Sequence, residues 1–218
     1  MAETPFLDRT RDGYDRTAAG YVAAFQHHLD DRPLDLAMLK AFADMVPGNQ
    51  PVIDIGCGTG VATGILHDHG VRVSGIDLSP NMIAQARRLH PDIGFTVGSM
   101  TDLDLPDACA GGVCAWYSVI HIPDDHLSAV FAEFERVLVP GGVALLAFQV
   151  GDRPRHLTEA FGERFDLLFH RRSPDAVARL LTDAGLPVHA QLVRQPEGDG
   201  VESTPQGYLI ARKPAPAS

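Results

Sequence analysis

A glycine-rich segment follows the first strongly apolar run of the chain. The run Val52-Ile53 leads into Asp54-Ile55-Gly56-Cys57-Gly58-Thr59-Gly60, which has the pattern Asp-x-Gly-x-Gly-x-Gly. Glycines permit a tight turn and let the backbone approach a ligand that a Cβ atom would exclude. Amide groups at the start of a following helix can then meet the anionic end of that ligand. The segment therefore predicts a cofactor-binding turn between a strand and a helix.

The spacing of these glycines distinguishes between two kinds of cofactor. A nicotinamide dinucleotide site usually has Gly-x-Gly-x-x-Gly, whereas no glycine stands three residues after Gly60 in this chain. Asp54, two residues before the first glycine, is also foreign to the dinucleotide pattern. A carboxylate at that place suits a cofactor with a cationic amino group, which it can orient directly or through water.

A second carboxylate stands 23 residues beyond Asp54, where the strand-like run 71–76 ends at Asp77. An acidic side chain at this place can accept hydrogen bonds from two ribose hydroxyls, so Asp77 predicts a cofactor that contains adenosine. Leu78 follows it and could pack against the adenine. The alternative is that Asp77 caps the next helix, but Ser79, followed by Pro80, is better placed for that task.

Together these segments resemble the first two motifs of the Rossmann-like (class I) S-adenosylmethionine-dependent methyltransferases. Residues 54–60 match the first motif and residues 75–79 match the second. Residues 98–103 are similar to the loop that encloses the adenine, although Ser99 stands where the family often has Asp. Residues 115–121, Ala-Trp-Tyr-Ser-Val-Ile-His, resemble the fourth motif, at the end of strand four beside the reactive methyl group.

The resemblance is to the small-molecule members of the family. Residues 12–15 with Tyr21 are similar to their N-terminal cap, in which an aromatic hydroxyl approaches the cofactor's carboxylate, and residues 136–142 resemble the turn into strand five. The resemblance implies S-adenosyl-L-methionine as the cofactor and a small-molecule acceptor. The residues expected to bind the cofactor are Tyr14, Tyr21, Asp54, Gly56, Gly58, Gly60, Asp77, Leu78, Ser99, Met100, Ala115 and Trp116.

Methyl transfer is an in-line displacement, so the protein must mainly align the acceptor with the methyl group and exclude water. A general base helps when the acceptor loses a proton as it attacks. His121 is the candidate base, because it follows strand four at the ligand edge and a neutral imidazole accepts a proton near neutral pH. The alternative is a histidine that only bonds across this loop. Tyr117 is a second catalytic candidate, and Gln149 and His156 could reach the substrate.

The composition limits the kinds of molecule that the protein can be expected to bind. A formal charge of −10 argues against non-specific binding to nucleic acids, and no apolar run approaches the ~18–20 residues of a membrane helix. Three cysteines without ligand spacing and an N-terminus without an export segment fit a reducing compartment. We expect a cytoplasmic monomer or homodimer that binds a small molecule and no membrane. No metal is expected, since no histidine pair has a carboxylate at a familiar ligand spacing.

The elements that must position these residues follow a simple alternation. Strand-like and helix-like stretches alternate between about residues 51 and 150, which predicts βαβ units and a doubly wound, mostly parallel α/β sheet. Two further strand-like runs, 187–194 and 206–212, have no helix between them and predict an antiparallel C-terminal hairpin, giving seven strands. Helical spacing at 18–28 and 34–46 predicts an N-terminal helical cap, so one domain spans 1–218, with the cap in 1–48 and the core in 49–218.

Three functions remain open at this stage. The favoured one is methyl transfer to a small molecule, for example in natural-product tailoring. The alternative is a non-catalytic protein of the same fold that binds S-adenosylmethionine for structure or regulation. A nicotinamide oxidoreductase is disfavoured by the glycine spacing and by the terminal hairpin. The sequence leaves open whether N, O, C or S is methylated.

Overall fold

The computed structural model describes residues 5–198 and 200–215, and a seven-stranded sheet forms its centre. The strand order is β3-β2-β1-β4-β5-β9-β8, in which β1 to β5 are parallel neighbours and β9 runs antiparallel to both β5 and β8. The strands of this sheet are β1 (Val52–Ile55), β2 (Val73–Asp77), β3 (Gly94–Val97), β4 (Ala110–Trp116), β5 (Leu138–Gln149), β8 (Val188–Arg194) and β9 (Gln206–Arg212). The predicted doubly wound sheet and its terminal hairpin are confirmed.

Helices cover both faces of the sheet, as buried parallel strands require. They are α1 (Pro5–Phe25), α2 (Pro33–Met45), α3 (Val61–Asp68), α4 (Pro80–Leu89), α5 (Asp124–Val137) and α6 (Pro174–Asp183). The helix start at Ser79 is confirmed, since its hydroxyl accepts a hydrogen bond from the Met82 amide, and Ser173 caps α6 in the same way through the Ala176 amide. In the described part of the chain, no helix is both long and apolar enough to cross a membrane.

The first helix is longer than its apolar spacing predicted. It begins at Pro5 instead of near Ala18, and its outer face carries the ion pair Arg16–Asp12 at 2.8 Å. This polar face hides the helical period in the sequence, because the first twelve residues of the helix bury only Phe6 and Gly13. The N-terminal cap therefore extends over the whole segment that carries Tyr14 and Tyr21.

A second, two-stranded sheet was not predicted. It consists of β6 (Arg155–Ala160) and β7 (Glu163–Phe169), joined by Phe161 and Gly162 with φ angles of 54° and 78°. Two consecutive positive φ angles define a hairpin turn that usually has the sequence Asn-Gly or Asp-Gly. Because Phe161 takes the place of Asn or Asp, the turn could not be recognised from the sequence. The hairpin packs on α1, where a Cβ atom on Gly13 would lie 2.8 Å from Leu167. Together α1 and the hairpin cover the carboxyl ends of the parallel strands.

Candidate active site

A cavity of about 730 Å³ lies at the carboxyl ends of the strands, beneath α1 and the β6–β7 hairpin. This is the edge at which open α/β sheets bind their ligands, and the volume lies within the range of small-molecule sites. One end of the cavity is formed by the glycine loop, the end of β2 and the loop after β3. The remaining walls are formed by α1, the hairpin and residues 201–204.

The glycine loop after β1 has the backbone shape that its sequence predicts. Gly56 and Gly58 have φ angles of +74° and +55°, and a Cβ atom on Gly56 would lie 2.3 Å from the Ser118 Cβ. A Cβ atom on Gly58 would meet nothing within 4 Å, and Gly58 lines the cavity, so its bare backbone faces open space. Gly60, which was also expected to bind the cofactor, does not line the cavity. A Cβ atom on it would meet the His90 side chain, and its φ of +84° lets the chain turn into α3, which begins at the next residue.

Asp54 lies beneath this loop with no exposed surface. Its Oδ2 accepts a hydrogen bond from the Thr63 hydroxyl at 2.6 Å, while Oδ1 has no partner among the described residues. Burial raises the pKa of Asp54 to about 6, which the Thr63 hydrogen bond opposes. An unpaired carboxylate oxygen below a bare backbone fits the ammonium group of a ligand, directly or through water.

Asp77 ends β2 and is bonded to the glycine loop. Its Oδ2 accepts from the Gly58 amide and its Oδ1 from the Ser79 amide, both at 2.8 Å. Each carboxylate oxygen retains a lone pair for a further donor, as two ribose hydroxyls would supply. Burial raises the pKa of Asp77 to about 6, against the lowering effect of these two amides. Leu78, Ser99 and Met100 line the same end of the cavity, where an adenine would lie.

Tyr14 and His121 form a hydrogen-bonded pair above the centre of the cavity, which both side chains line. The Tyr14 hydroxyl lies 2.7 Å from His121 Nε2, and His121 Nδ1 lies 3.1 Å from the Leu168 carbonyl oxygen. A carbonyl oxygen only accepts, so Nδ1 carries the hydrogen and Nε2 accepts from Tyr14. Burial lowers the pKa of His121 to about 4 and raises that of Tyr14, so both groups are uncharged near neutral pH.

The hydroxyl of Tyr21 lines the same cavity, and burial followed by the nearby Asp77 carboxylate raises its pKa to about 12. It therefore remains a hydrogen-bond donor over the physiological range. Tyr14 and Tyr21 were expected to act alike toward the cofactor, but the structure separates them. The hydroxyl of Tyr14 is bonded to His121, whereas that of Tyr21 makes no such bond to the described residues.

Tyr117 takes a different position from the one expected of a catalytic group. It lines the cavity with a positive φ of 53°, but its hydroxyl lies 3.1 Å from the Tyr208 hydroxyl. Tyr208 in turn donates to Asp35 Oδ1 at 2.7 Å. The Tyr117 hydroxyl thus belongs to a buried polar network. Trp116 lines the cavity, whereas Ala115 is fully buried in β4 and does not.

Sequence reasoning missed the centre of that network, Arg194. Its guanidinium bonds both oxygens of Glu202 at 2.7 Å and lies 3.1 Å from Asp35 Oδ2. Asp35 and Glu202 line the cavity, so this cluster joins α2 to the loop between β8 and β9. Asp35 lies 159 positions from Arg194 in the chain, so no local sequence pattern indicated that these residues meet.

The hairpin supplies an apolar wall that was also missed. Gln149 lines the cavity as expected, but His156 does not and pairs with Asp166 at 2.5 Å on an exposed face. Among the described residues, no group of three or more His, Cys, Asp or Glu side chains is arranged to hold a metal ion. The hairpin residues that line the cavity are Arg155, Leu157, Ala160, Phe161, Phe165, Leu167 and Phe169.

The fold and the cavity define a Rossmann-like protein with a site for an adenosine cofactor beside an apolar chamber. Residues 52–142 match a methyltransferase domain family. The chain is 32% identical over 157 residues to malonyl-[acyl-carrier protein] O-methyltransferase of Serratia marcescens, covering 69% of this chain and 58% of that protein. It is 31% identical over 153 residues to demethylmenaquinone methyltransferase of Chlorobaculum tepidum, covering 67% and 62%. The chain thus spans about three fifths of the length of these curated relatives.

Solved structures agree with this family over nearly the whole chain. The complex of DhpI with SAH superposes with a TM-score of 0.75 at 25% identity and covers 97% of this chain and 98% of that one. A methyltransferase from Methanosarcina mazei gives 0.71 at 19% identity, covering 79% and 96%. The chain thus has the fold of the class I S-adenosylmethionine-dependent methyltransferases, and its residues 52–142 match a methyltransferase domain.

Proposed function

We propose that this protein transfers a methyl group from S-adenosylmethionine to a small-molecule acceptor. The observation that carries the proposal is the contact between Asp77 and Gly58, which joins a ribose-binding carboxylate to a bare backbone in a cavity that continues into the apolar chamber. Relatives named as malonyl-[acyl-carrier protein], demethylmenaquinone and 2-methyl-6-phytyl-1,4-hydroquinone methyltransferases support a substrate of this general kind.

The residues present fit the cofactor, which supplies a methyl group activated by a sulfonium sulfur. Asp77 would accept the ribose hydroxyls, and Leu78 and Met100 would contact the adenine. The unpaired Oδ1 of Asp54 would complement the amino group, and the Tyr21 hydroxyl would donate to the carboxylate. The protein itself aligns the acceptor and excludes water beneath α1 and the hairpin.

The wider setting follows from charge and cysteine chemistry. The formal charge of −10 supports a small-molecule substrate over a nucleic acid. All three cysteines are free thiols, which supports a reducing, cytoplasmic setting. We propose a single domain over residues 1–218 that acts as a monomer or homodimer.

Binding of S-adenosylhomocysteine tests the proposal without an acceptor. Calorimetry should give a Kd of ~10 μM or lower for this product and no binding of NADH. Gly58→Val should abolish binding, because the new side chain would fill the space at the bare backbone. Gly70→Val is the matched control: Gly70 has φ +82° and open space at its Cβ position, but it lies outside the cavity. NADH binding, or equal effects of both substitutions, would refute the assignment.

The affinity for S-adenosylhomocysteine should fall below about pH 6. Burial raises the pKa of both Asp54 and Asp77 to about 6 in the cofactor-free protein. Above that pH both are carboxylates, whereas below it each must release a proton before it can bind its donor. The Kd should therefore rise ~10-fold or more for each pH unit below 6 and stay flat above it. Calorimetry in two buffers of different ionisation enthalpy measures the proton release, and a Kd independent of pH would contradict the expectation.

A further inference from the structure

The orientation of the Tyr14–His121 pair limits how it can act. His121 is buried, its Nδ1–H is held by the Leu168 carbonyl of β7, and its ring packs edge-on against Phe169 at 4.8 Å. These contacts fix the ring and leave Nε2 as its only basic atom. Nε2 faces the Tyr14 hydroxyl at 2.7 Å. The basic atom of the imidazole is therefore linked to the cavity through the tyrosine oxygen.

The cavity around this pair is apolar and rich in rings. Phe25 of α1 and Phe161, Phe165, Leu167 and Phe169 of the hairpin line it. Of the charged side chains that line it, Asp35 and Glu202 share the Arg194 guanidinium, which offsets one of their two charges. Arg32 and Arg155 also line the cavity. Such a chamber favours the burial of a flat apolar body and disfavours a highly charged one.

From this geometry we infer that the acceptor is an acidic hydroxyl, of the phenol or enol type, carried by an apolar ring system, and that Tyr14 is the residue that takes its proton. The inference rests on the proposed methyl transfer and names its substrate class. The acceptor O–H bond breaks, and its proton moves to the Tyr14 oxygen while the Tyr14 proton moves to His121 Nε2. The acceptor oxygen forms its new bond to the methyl carbon as the carbon–sulfur bond of the donor breaks.

Chemical matching selects the acidic hydroxyl. Burial, with a smaller contribution from the nearby His170 and Arg172, lowers the pKa of His121 to about 4, so the imidazole is uncharged and able to accept at neutral pH but is a weak base. A weak base can take the proton of an acidic hydroxyl as the methyl group is transferred, whereas an aliphatic alcohol is too weak an acid for this neutral tyrosine–histidine pair.

A second, smaller cavity adjoins His121. It has a volume of about 170 Å³ and shares Phe6, Thr10 and His121 with the main cavity. Its other lining residues are Arg9, Pro123, Asp166, Leu168 and His170. Because Nδ1 is held by Leu168 and Nε2 faces Tyr14, the accepted proton returns to solvent by way of the Tyr14 oxygen after the methylated product leaves.

Three acceptors with one ring system test the substrate class. The wild-type protein is incubated with S-adenosylmethionine labelled in the methyl group and with 2-naphthol, 2-naphthylamine or 2-(2-naphthyl)ethanol. We expect label only in 2-methoxynaphthalene. Methylation of the amine or the alcohol at a comparable rate would overturn the inference, and so would the absence of methylation of 2-naphthol in protein that binds S-adenosylhomocysteine. That binding measurement separates failure of this inference from failure of the proposed function.

Substitutions of the pair test the proton transfer. Tyr14→Phe and His121→Gln should each lower kcat for 2-naphthol ~100-fold, and the double variant should be no slower, because the two residues act as one unit. The affinity for S-adenosylhomocysteine should stay within about threefold, since Phe at position 14 keeps the ring contact with His121. His67→Gln, an exposed histidine outside both cavities, is the control and should leave the rate unchanged.

A more acidic acceptor separates proton transfer from a structural role. At mildly alkaline pH 1-nitro-2-naphthol is already ionised and needs no base, so Tyr14→Phe should leave its methylation rate nearly unchanged. Equal loss of rate with both naphthols would overturn the inference, because a misplaced acceptor would affect both. In the wild-type protein, ¹⁵N NMR should show His121 with its proton on Nδ1. A proton on Nε2 would likewise contradict the pair as described.

Discussion

Asp77→Asn should raise the Kd for S-adenosylhomocysteine ~30-fold or more, about 2 kcal/mol. The amide retains one acceptor oxygen, so one ribose hydroxyl and one of the amides of Gly58 and Ser79 lose their partner. Isothermal titration calorimetry measures the change. Asp102→Asn is the matched control, because Asp102 is exposed on the next loop and does not line the cavity.

Ligands with and without the ribose hydroxyls show which contact accounts for the lost affinity. The substitution should reduce the affinity for adenosine by the same factor as the affinity for S-adenosylhomocysteine, because both ligands carry the ribose hydroxyls. 2′,3′-Dideoxyadenosine lacks them and should bind the wild type and Asp77→Asn with similar affinity. If the substitution weakens the dideoxy compound as strongly as adenosine, Asp77 acts only by shaping the glycine loop.

Arg194→Met should lower the free energy of unfolding by about 3–5 kcal/mol, which corresponds to ~6–20 °C in Tm for a chain of this size. The substitution leaves Asp35, which is almost fully buried, and Glu202 without their shared cation. Thermal and urea unfolding measure the loss. The control is Lys40→Met, which removes the exposed pair with Asp44 and should change the stability by less than about 0.5 kcal/mol.

Adding Asp35→Asn and Glu202→Gln to Arg194→Met should restore part of the stability. These changes remove the two unpaired charges while they keep the side-chain volumes, and the new amide oxygen at position 35 can still accept from the Tyr208 hydroxyl. A triple variant as unstable as Arg194→Met would show that packing of the arginine side chain, and not charge balance, carries the effect.

The cofactor half of the molecule could be predicted from local sequence. The run from Val52 to Gly60 combines a strand pattern with glycines whose spacing has few uses, and Asp77 lies at a fixed distance along the βαβ unit. Each is a short-range signal, which is why the doubly wound sheet and the placement of Asp54, Gly58 and Asp77 at one edge could be predicted from the chain alone, whereas the order of the strands was not predicted.

The acceptor half could not be predicted in the same way. The β6–β7 hairpin turns on Phe161, an unusual residue for its turn type, and the bond between Tyr14 and His121 joins residues 107 positions apart. The cluster of Asp35, Arg194 and Glu202 likewise exists only when α2 and the β8–β9 loop meet. Tertiary packing fixes these contacts, and no period in the sequence encodes them. Gly60 and Ala115 show the converse, since residues inside a recognised motif can serve the fold without reaching the cavity.

The hydrogen bonds of Asp15 have a kinetic consequence. Its carboxylate accepts from the Ser79 hydroxyl at 2.5 Å and from the Asn81 amide at 3.0 Å, which fastens α1 to the start of α4. The Ser79 amide also donates a hydrogen bond to Asp77, so the same residue holds α1 and the carboxylate proposed to bind the ribose. We therefore expect detachment of α1 from α4 to disturb the Asp77 carboxylate and to speed the release of a bound nucleoside. The hydrogen bonds of Asp15 would thus lengthen the time for which the nucleoside stays bound.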